Sequence, residues 1–157
     1  MRRAEREVTS VHKIEQIMQR CDVCSLALID VPYPYVVPLN FGFERKGEQI
    51  YLYFHSAGEG KKMTLLKCNP NAAFEMNCSH RLLAGDYPCA TSMEYDSVCG
   101  RGILHIVEEM EDKKHALRQI MKQYTGKADD EFSENNLRAV AVLRLEVQEL
   151  SGKSWRR

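Results

Sequence analysis

The chain has 157 residues, a length that points to a single domain over 1–157 with a core that needs no disulfide or metal support. Hydrophobic residues make up 44% and charged residues 28%, which excludes disordered, collagen-like and coiled-coil chains. Lys and Arg number 22 and Asp and Glu 22, so the basic surplus of a non-specific nucleic-acid binder is absent.

The opening residues Met1-Arg2-Arg3-Ala4-Glu5 carry no apolar stretch after the arginines, unlike a signal peptide. No apolar run approaches the roughly 18 residues of a membrane helix. The expectation is a cytoplasmic protein with no membrane or nucleic-acid partner. Its six cysteines, Cys21, Cys24, Cys68, Cys78, Cys89 and Cys99, are then free thiols by default.

In chain order, Val11 to Arg20 reads as a helix, with Val11, Ile14, Ile17 and Met18 at helical spacing and Ser10 as its N-cap. Cys24 to Ile29 reads as a buried strand and Val31 to Pro34 as a turn. Tyr35 to Phe43 reads as one long extended segment, with Pro38 marking an edge or a bulge. Arg45 to Glu48 is a hairpin tip. In the following strand, Ile50, Leu52 and Phe54 alternate with Tyr51, Tyr53 and His55. A short helix follows within Gly58 to Lys67 and stops at Asn69-Pro70.

Ala72 to Cys78 is the next strand, and His80 to Cys89 reads as irregular. Met93 to Tyr95 and Val98 to Val107 read as two strands, with a bend or bulge at Gly100 and Gly102. Glu109 to Tyr124 is the clearest helix, with Leu117, Ile120, Met121 and Tyr124 as its apolar stripe and Gly126 as its stop. Lys127 to Asn136 is polar and acidic. Val140 to Leu150 alternates as a half-buried strand, and Ser151 to Arg157 reads as a short, mobile basic tail. Six strands with peripheral helices favour a closed antiparallel barrel over a doubly wound fold.

Two segments stand out chemically. In Tyr53-Phe54-His55-Ser56-Ala57-Gly58-Glu59-Gly60-Lys61-Lys62, a strand ends, glycines permit a tight turn and a helix opens on two lysines. Cations in a first helical turn oppose the helix dipole, and a bound phosphate would offset that cost. The plainer reading is a surface loop with two solvated lysines. In Tyr35-Val36-Val37-Pro38-Leu39-Asn40-Phe41, an amide that donates and accepts sits among apolar neighbours, which suits the edge of a flat heteroaromatic ring. The plainer reading there is a bulged core strand with a satisfied Asn.

The remaining motifs are weaker. Cys21-x-x-Cys24 lacks the second pair of a zinc site and sits between a helix and a strand, unlike a thioredoxin-type pair. His12 and His115 read as solvated helix residues and His105 as a satisfied barrel residue. Only His55 adjoins the phosphate-like loop. No GxSxG elbow, Walker A or GxGxxG occurs.

Five stretches together resemble the pyridoxamine 5′-phosphate oxidase-like flavin-binding split barrels, most closely their nitroimidazole-resistance branch. They are Asp22-Val23-Cys24-Ser25-Leu26-Ala27-Leu28, Pro34 to Phe41, Leu52 to Ala57 with Gly60-Lys61-Lys62, Tyr95-x-Ser97-Val98-x-x-x-Gly102, and Leu150-Ser151-Gly152-Lys153. The resemblance runs from about Met1 to Lys153. It implies a mainly β fold, a six-stranded antiparallel Greek-key split β-barrel, in a homodimer holding FMN at the subunit interface.

By position, Lys61 and Lys62 with Phe54, His55 and Ser56 would bind the flavin phosphate. Pro38, Leu39 and Asn40 would lie along the isoalloxazine ring. Tyr95, Ser97 and Val98 would approach from the partner, and Lys153 or Trp155 would close the site. No metal is implied; FAD and haem are the alternatives to FMN. The implied function is an oxidoreductase taking hydride from a nicotinamide nucleotide and acting on a small molecule, with a nitroaromatic as one candidate. The flavin carries that chemistry, so no protein nucleophile is required. The competing expectation is a flavin or haem carrier or sensor without turnover; a cysteine metal site is a third.

Overall fold

The alternation of apolar and polar residues sets the strands, and one short link sets how they close. The computed structural model describes residues 4–128 and 131–156. After a 3-10 turn at Ala4–Arg6 come β1 (Glu7–Val8), α1 (Val11–Arg20), β2 (Cys24–Leu28), β3 (Tyr35–Leu39), β4 (Phe41–Lys46) and β5 (Gln49–Ser56). Then follow α2 (Lys61–Cys68), β6 (Asn71–Leu83), β7 (Ser92–Val107), α3 (Met110–Thr125), α4 (Glu134–Ala139) and β8 (Ala141–Trp155).

The strands form one eight-stranded sheet in the order β3-β2-β6-β7-β8-β5-β4, with β1 beside the end of β8. The two ends of that path, β3 and β4, are consecutive in the chain and separated by Asn40 alone. Laid flat at about 4.8 Å per strand, those ends would stand about 29 Å apart. A one-residue link therefore forces the sheet to curl until its ends meet at Asn40. β3 and β4 are not hydrogen-bonded neighbours, so the barrel is split there.

Inside the barrel, Cys24, Leu26 and Leu28 of β2 pack with Ile50, Leu52 and Phe54 of β5, Phe74 and Met76 of β6, and Leu143 and Leu145 of β8. A smaller core lies outside, where Tyr53, Val107 and Val142 meet Ala116 and Ile120 of α3. Gly42 permits that docking: a Cβ there would stand 2.4 Å from the backbone of Gln119. The end of α3 then ties two other elements. The Gln123 amide donates to the carbonyls of Met18 (3.0 Å), Gln19 (3.3 Å) and Cys21 (3.0 Å), satisfying the open end of α1. The Tyr124 hydroxyl accepts from the Phe41 amide at 2.9 Å and donates to the Asp22 carbonyl at 2.8 Å.

Helix α1 has the expected bounds, with Ser10 Oγ accepting from the Lys13 amide at 3.5 Å. The expected bulge near Gly102 is present between Arg101 and Gly102. Several boundaries differ. The segment Tyr35 to Phe43 is two strands rather than one, because Asn40 turns the corner of the barrel. β6 continues to Leu83 across a bulge between Cys78 and Arg81, where irregular chain was expected, because β7 keeps pairing with it from Ser92 to Glu94. β7 is likewise one strand. α4 lies partly in the stretch expected to be a polar loop, and the Ser133 hydroxyl caps it by accepting from the Asn136 amide.

The tail is strand as far as Trp155, because β7 pairs with it: Ser97 faces Lys153 and Tyr95 faces Trp155. On α3 the buried positions are Ala116 and Ile120, with Leu117 packed beside them; Tyr124 is exposed. Met1 to Arg3 of the opening stretch, Asp129 and Asp130 of the acidic stretch, and Arg157 lie outside the described residues. Among the described residues no helix is long and apolar enough to cross a membrane.

Candidate functional site

The end of β5 and the start of α2 form a cationic stretch of surface. Gly60 is the N-cap of α2, with φ of 109° and no side chain capping the helix. That positive φ suits glycine, and the uncapped amides behind it are free to meet an anion. Lys61 Nζ lies 2.5 Å from Asp30 Oδ2 and 5.6 Å from the centre of the Tyr35 ring. Lys62 is half-buried and no carboxylate pairs with it among the described residues; desolvation pulls its ammonium below the usual lysine range. His55 is exposed beside them, and the Ser56 hydroxyl donates to the Ala57 carbonyl at 2.9 Å. An unneutralised, partly desolvated ammonium at an uncapped helix start fits a phosphate group.

The strand before the barrel corner lies close by. Pro38 is exposed opposite Ser25, and Leu39 is half-buried. Asn40 is exposed and its amide donates to the Asp22 carbonyl at 3.4 Å. The next residue, Phe41, faces Phe54, which sets Asn40 beside His55. Phe54 itself is fully buried in the barrel core, so its side chain cannot reach that surface.

A second group sits elsewhere. Tyr95, Ser97, Lys153 and Trp155 are cross-strand partners on one face of β7 and β8, all half-buried. The Arg6 guanidinium lies 4.2 Å over the Trp155 ring, whose Nε1 donates to Ser92 Oγ at 3.4 Å. Ser97 and Lys153, with Glu7, Cys99 and Ser151, line a cavity of about 400 Å³. Val98 points the other way and is fully buried. His55 pairs with Val142 and Ser97 with Lys153, eleven residues further along β8, about 36 Å of strand. Within one chain the two groups therefore lie at opposite ends of β8.

Residue spacing missed a third cluster. Glu44 accepts from the Tyr53 hydroxyl, pairs with Lys46 at 2.9 Å and lies 2.8 Å from His115 Nε2. Burial alone would raise the Glu44 pKa, but hydrogen bonds from Tyr53, Lys46 and His115 outweigh it and hold the carboxyl below its usual range. Burial, then the bond to Glu44, pushes the Tyr53 phenol above its ordinary range. His115 is thus engaged rather than simply solvated, and it stands edge-on to Tyr53 at 5.9 Å. His105 lies on β7 of the barrel, exposed and 4.0 Å from Glu146. His115 and Glu44 are 71 positions apart, and no local pattern links them.

Cys24 lies in the barrel core, while the thiol neighbour of Cys21 is Cys78. Among the described residues no group of three His, Cys, Asp or Glu side chains is placed to hold a metal ion.

Comparison with known proteins agrees with this architecture. The family model for pyridoxamine 5′-phosphate oxidase matches residues 10–154. A candidate 5-nitroimidazole antibiotic resistance protein from Bacteroides thetaiotaomicron is 35% identical, with a TM-score of 0.79 over 94% of this chain and 85% of that one. An FAD and haem binding protein from Mycobacterium smegmatis (18% identity, TM-score 0.81, 97% of this chain and 74% of that one) shares the fold. So does a flavocytochrome from Azotobacter vinelandii, at 16% identity and TM-score 0.80 over 100% of this chain and 72% of that one. No curated protein matches. The fold and the match across residues 10–154 make this chain a member of the pyridoxamine 5′-phosphate oxidase-like split-barrel family, on its nitroimidazole-resistance branch.

Proposed function

We propose that this chain is a homodimeric, FMN-dependent oxidoreductase that moves reducing equivalents from a nicotinamide nucleotide to a small molecule. A nitroaromatic is the first acceptor to test, given the 35% identity to the Bacteroides protein. The observation that carries the reading is the start of α2, where an uncapped helix end meets a desolvated, unneutralised Lys62. A phosphate monoester answers both features.

The flavin, when bound, supplies the hydride and electron chemistry. The residues of this chain bind and orient it. Lys61 and Lys62 neutralise the phosphate, and Asp30 holds the Lys61 ammonium in place. His55 and Ser56 flank the phosphate. Pro38 and Leu39 offer an apolar edge. The Asn40 amide nitrogen is held by Asp22, which leaves the amide oxygen to accept from the ring. About 36 Å of strand separates this group from Tyr95, Ser97, Lys153 and Trp155, so a second copy supplies them.

The test is the visible absorption spectrum of the purified protein before and after adding FMN, FAD and haem in turn. The two bands of bound flavin are expected. They should vanish in Lys61→Ala/Lys62→Ala while far-ultraviolet circular dichroism stays unchanged. A Soret band without flavin bands shifts the reading to haem. A protein colourless after all three additions overturns the site.

A further inference from the structure

The thiols of Cys21 and Cys78 converge on one acceptor. Cys21, just past the end of α1, points its sulfur at the Ile17 carbonyl oxygen from 3.3 Å. Cys78, on β6, points its sulfur at the same oxygen from 3.8 Å. Both sulfurs therefore lie within 3.8 Å of one and the same oxygen atom. The Ser79 hydroxyl donates to the Cys78 sulfur at 3.5 Å, and Arg20 lines the same cavity as Cys78.

The backbone at this point is unusual. Ser79 has φ of 60°, inside the bulge that breaks the β6–β7 register between Cys78 and Arg81. A cavity of about 440 Å³ opens on the bulge, and Arg20, Asp22, Glu75, Cys78, Ser79 and His80 are among the residues that line it. The two cysteines therefore differ in access. Cys78 sits in the wall of that cavity, within reach of a small oxidant. Cys21 is 1% exposed and lies behind it. Burial, then Cys78, pushes the Cys21 thiol up, so Cys21 stays protonated.

We propose that Cys78 and Cys21 form a peroxide-reactive dithiol, with Cys78 as the attacking sulfur and Cys21 as the resolving one. The Cys78 thiol gives its proton to solvent, and the thiolate attacks one oxygen of the peroxide. The O–O bond breaks, hydroxide leaves as water after protonation, and Cys78 carries a sulfenic acid. The Cys21 sulfur then attacks the Cys78 sulfur. An S–S bond forms and the S–O bond breaks. The departing hydroxide takes up the Cys21 proton as a second water. Two thiols lose two electrons in all, and one peroxide is reduced to two waters. The product ties the end of α1 to the bulge of β6, next to the ion pair of Arg20 with Asp96.

The test treats the wild-type protein with hydrogen peroxide in slight excess, then denatures, alkylates, digests and weighs the peptides. A Cys21–Cys78 disulfide is expected, with both thiols lost together. Cys21→Ser should leave Cys78 as a sulfenic acid that dimedone captures, and Cys78→Ser should leave Cys21 fully alkylatable. The wild-type result decides the matter even if neither variant folds. Oxidation confined to the exposed Cys68, Cys89 or Cys99 overturns the proposal, as does a disulfide joining Cys21 or Cys78 to any other cysteine.

Discussion

Asp96 shows how much one buried charge can organise. It is 1% exposed and is paired with Arg20 at 2.9 Å and with Arg156. It stands between Tyr95 and Ser97, so it anchors the strand that presents the second group. Burial would raise its pKa, but bonds from Ser154, Arg20 and Arg156 win and hold it below its ordinary 3.8. A carboxylate with a lowered folded pKa stabilises the fold above its unfolded value, and that contribution is lost as pH falls through the folded one. Asp96→Asn should therefore cost about 1–3 kcal/mol at pH 7. The gap from wild type should close below the ordinary carboxylate range. Urea melts at neutral and acid pH measure this; a gap that stays constant with pH would assign the loss to packing instead. The importance of Asp96 was not readable from spacing, because its partners lie 76 and 60 positions away.

Among the elements, α3 holds the most of the molecule together. It covers Tyr53 on the outer face of β5, closes the end of α1 through Gln123, and pins both sides of the barrel corner through Tyr124. Its position depends on the missing side chain at Gly42. Gly42→Ala would set a methyl group 2.4 Å from the Gln119 backbone, where no flexible side chain can yield. The expected destabilisation is about 3 kcal/mol, the upper range for overpacking. Thermal melting measures it, and an unchanged melting temperature would mean that α3 slides at little cost. The sequence periodicity of α3 was legible, but its apolar stripe was read partly onto Met121 and Tyr124. Helical spacing reports that a face exists; the residues that touch the sheet depend on how the helix is set down upon it.

For the whole molecule, the distance between the two groups is the controlling fact. About 36 Å of β8 lies between them, and the site proposed above draws one group from each of two chains. Subunits carrying Lys61→Ala/Lys62→Ala should bind no flavin, nor should subunits carrying Lys153→Ala/Trp155→Ala. Unfolding and refolding the two together should restore one intact site in each mixed dimer. Flavin fluorescence titration counts the sites. No recovery, with mixed dimers verified by native mass spectrometry, would mean that each site takes both groups from one chain.

Much of this was open to a reading of residues in a row. The strands Cys24–Leu28 and Gln49–Ser56, the helix Val11–Arg20 with its Ser10 cap, and the lysine-headed α2 all follow from local alternation, capping and glycine placement. Those properties act over a few residues, so adjacent residues encode them. Pro38 and Asn40 marked an interruption, yet not that it joins the two ends of one curled sheet. The Glu44–Tyr53–His115 cluster, the meeting of Cys21 with Cys78, and the strand character of the last residues up to Trp155 were hidden as well. Each rests on partners far apart in the chain. Such contacts exist only once the sheet has curled, because burial and long-range pairing supply their free energy, and neither has a local signature.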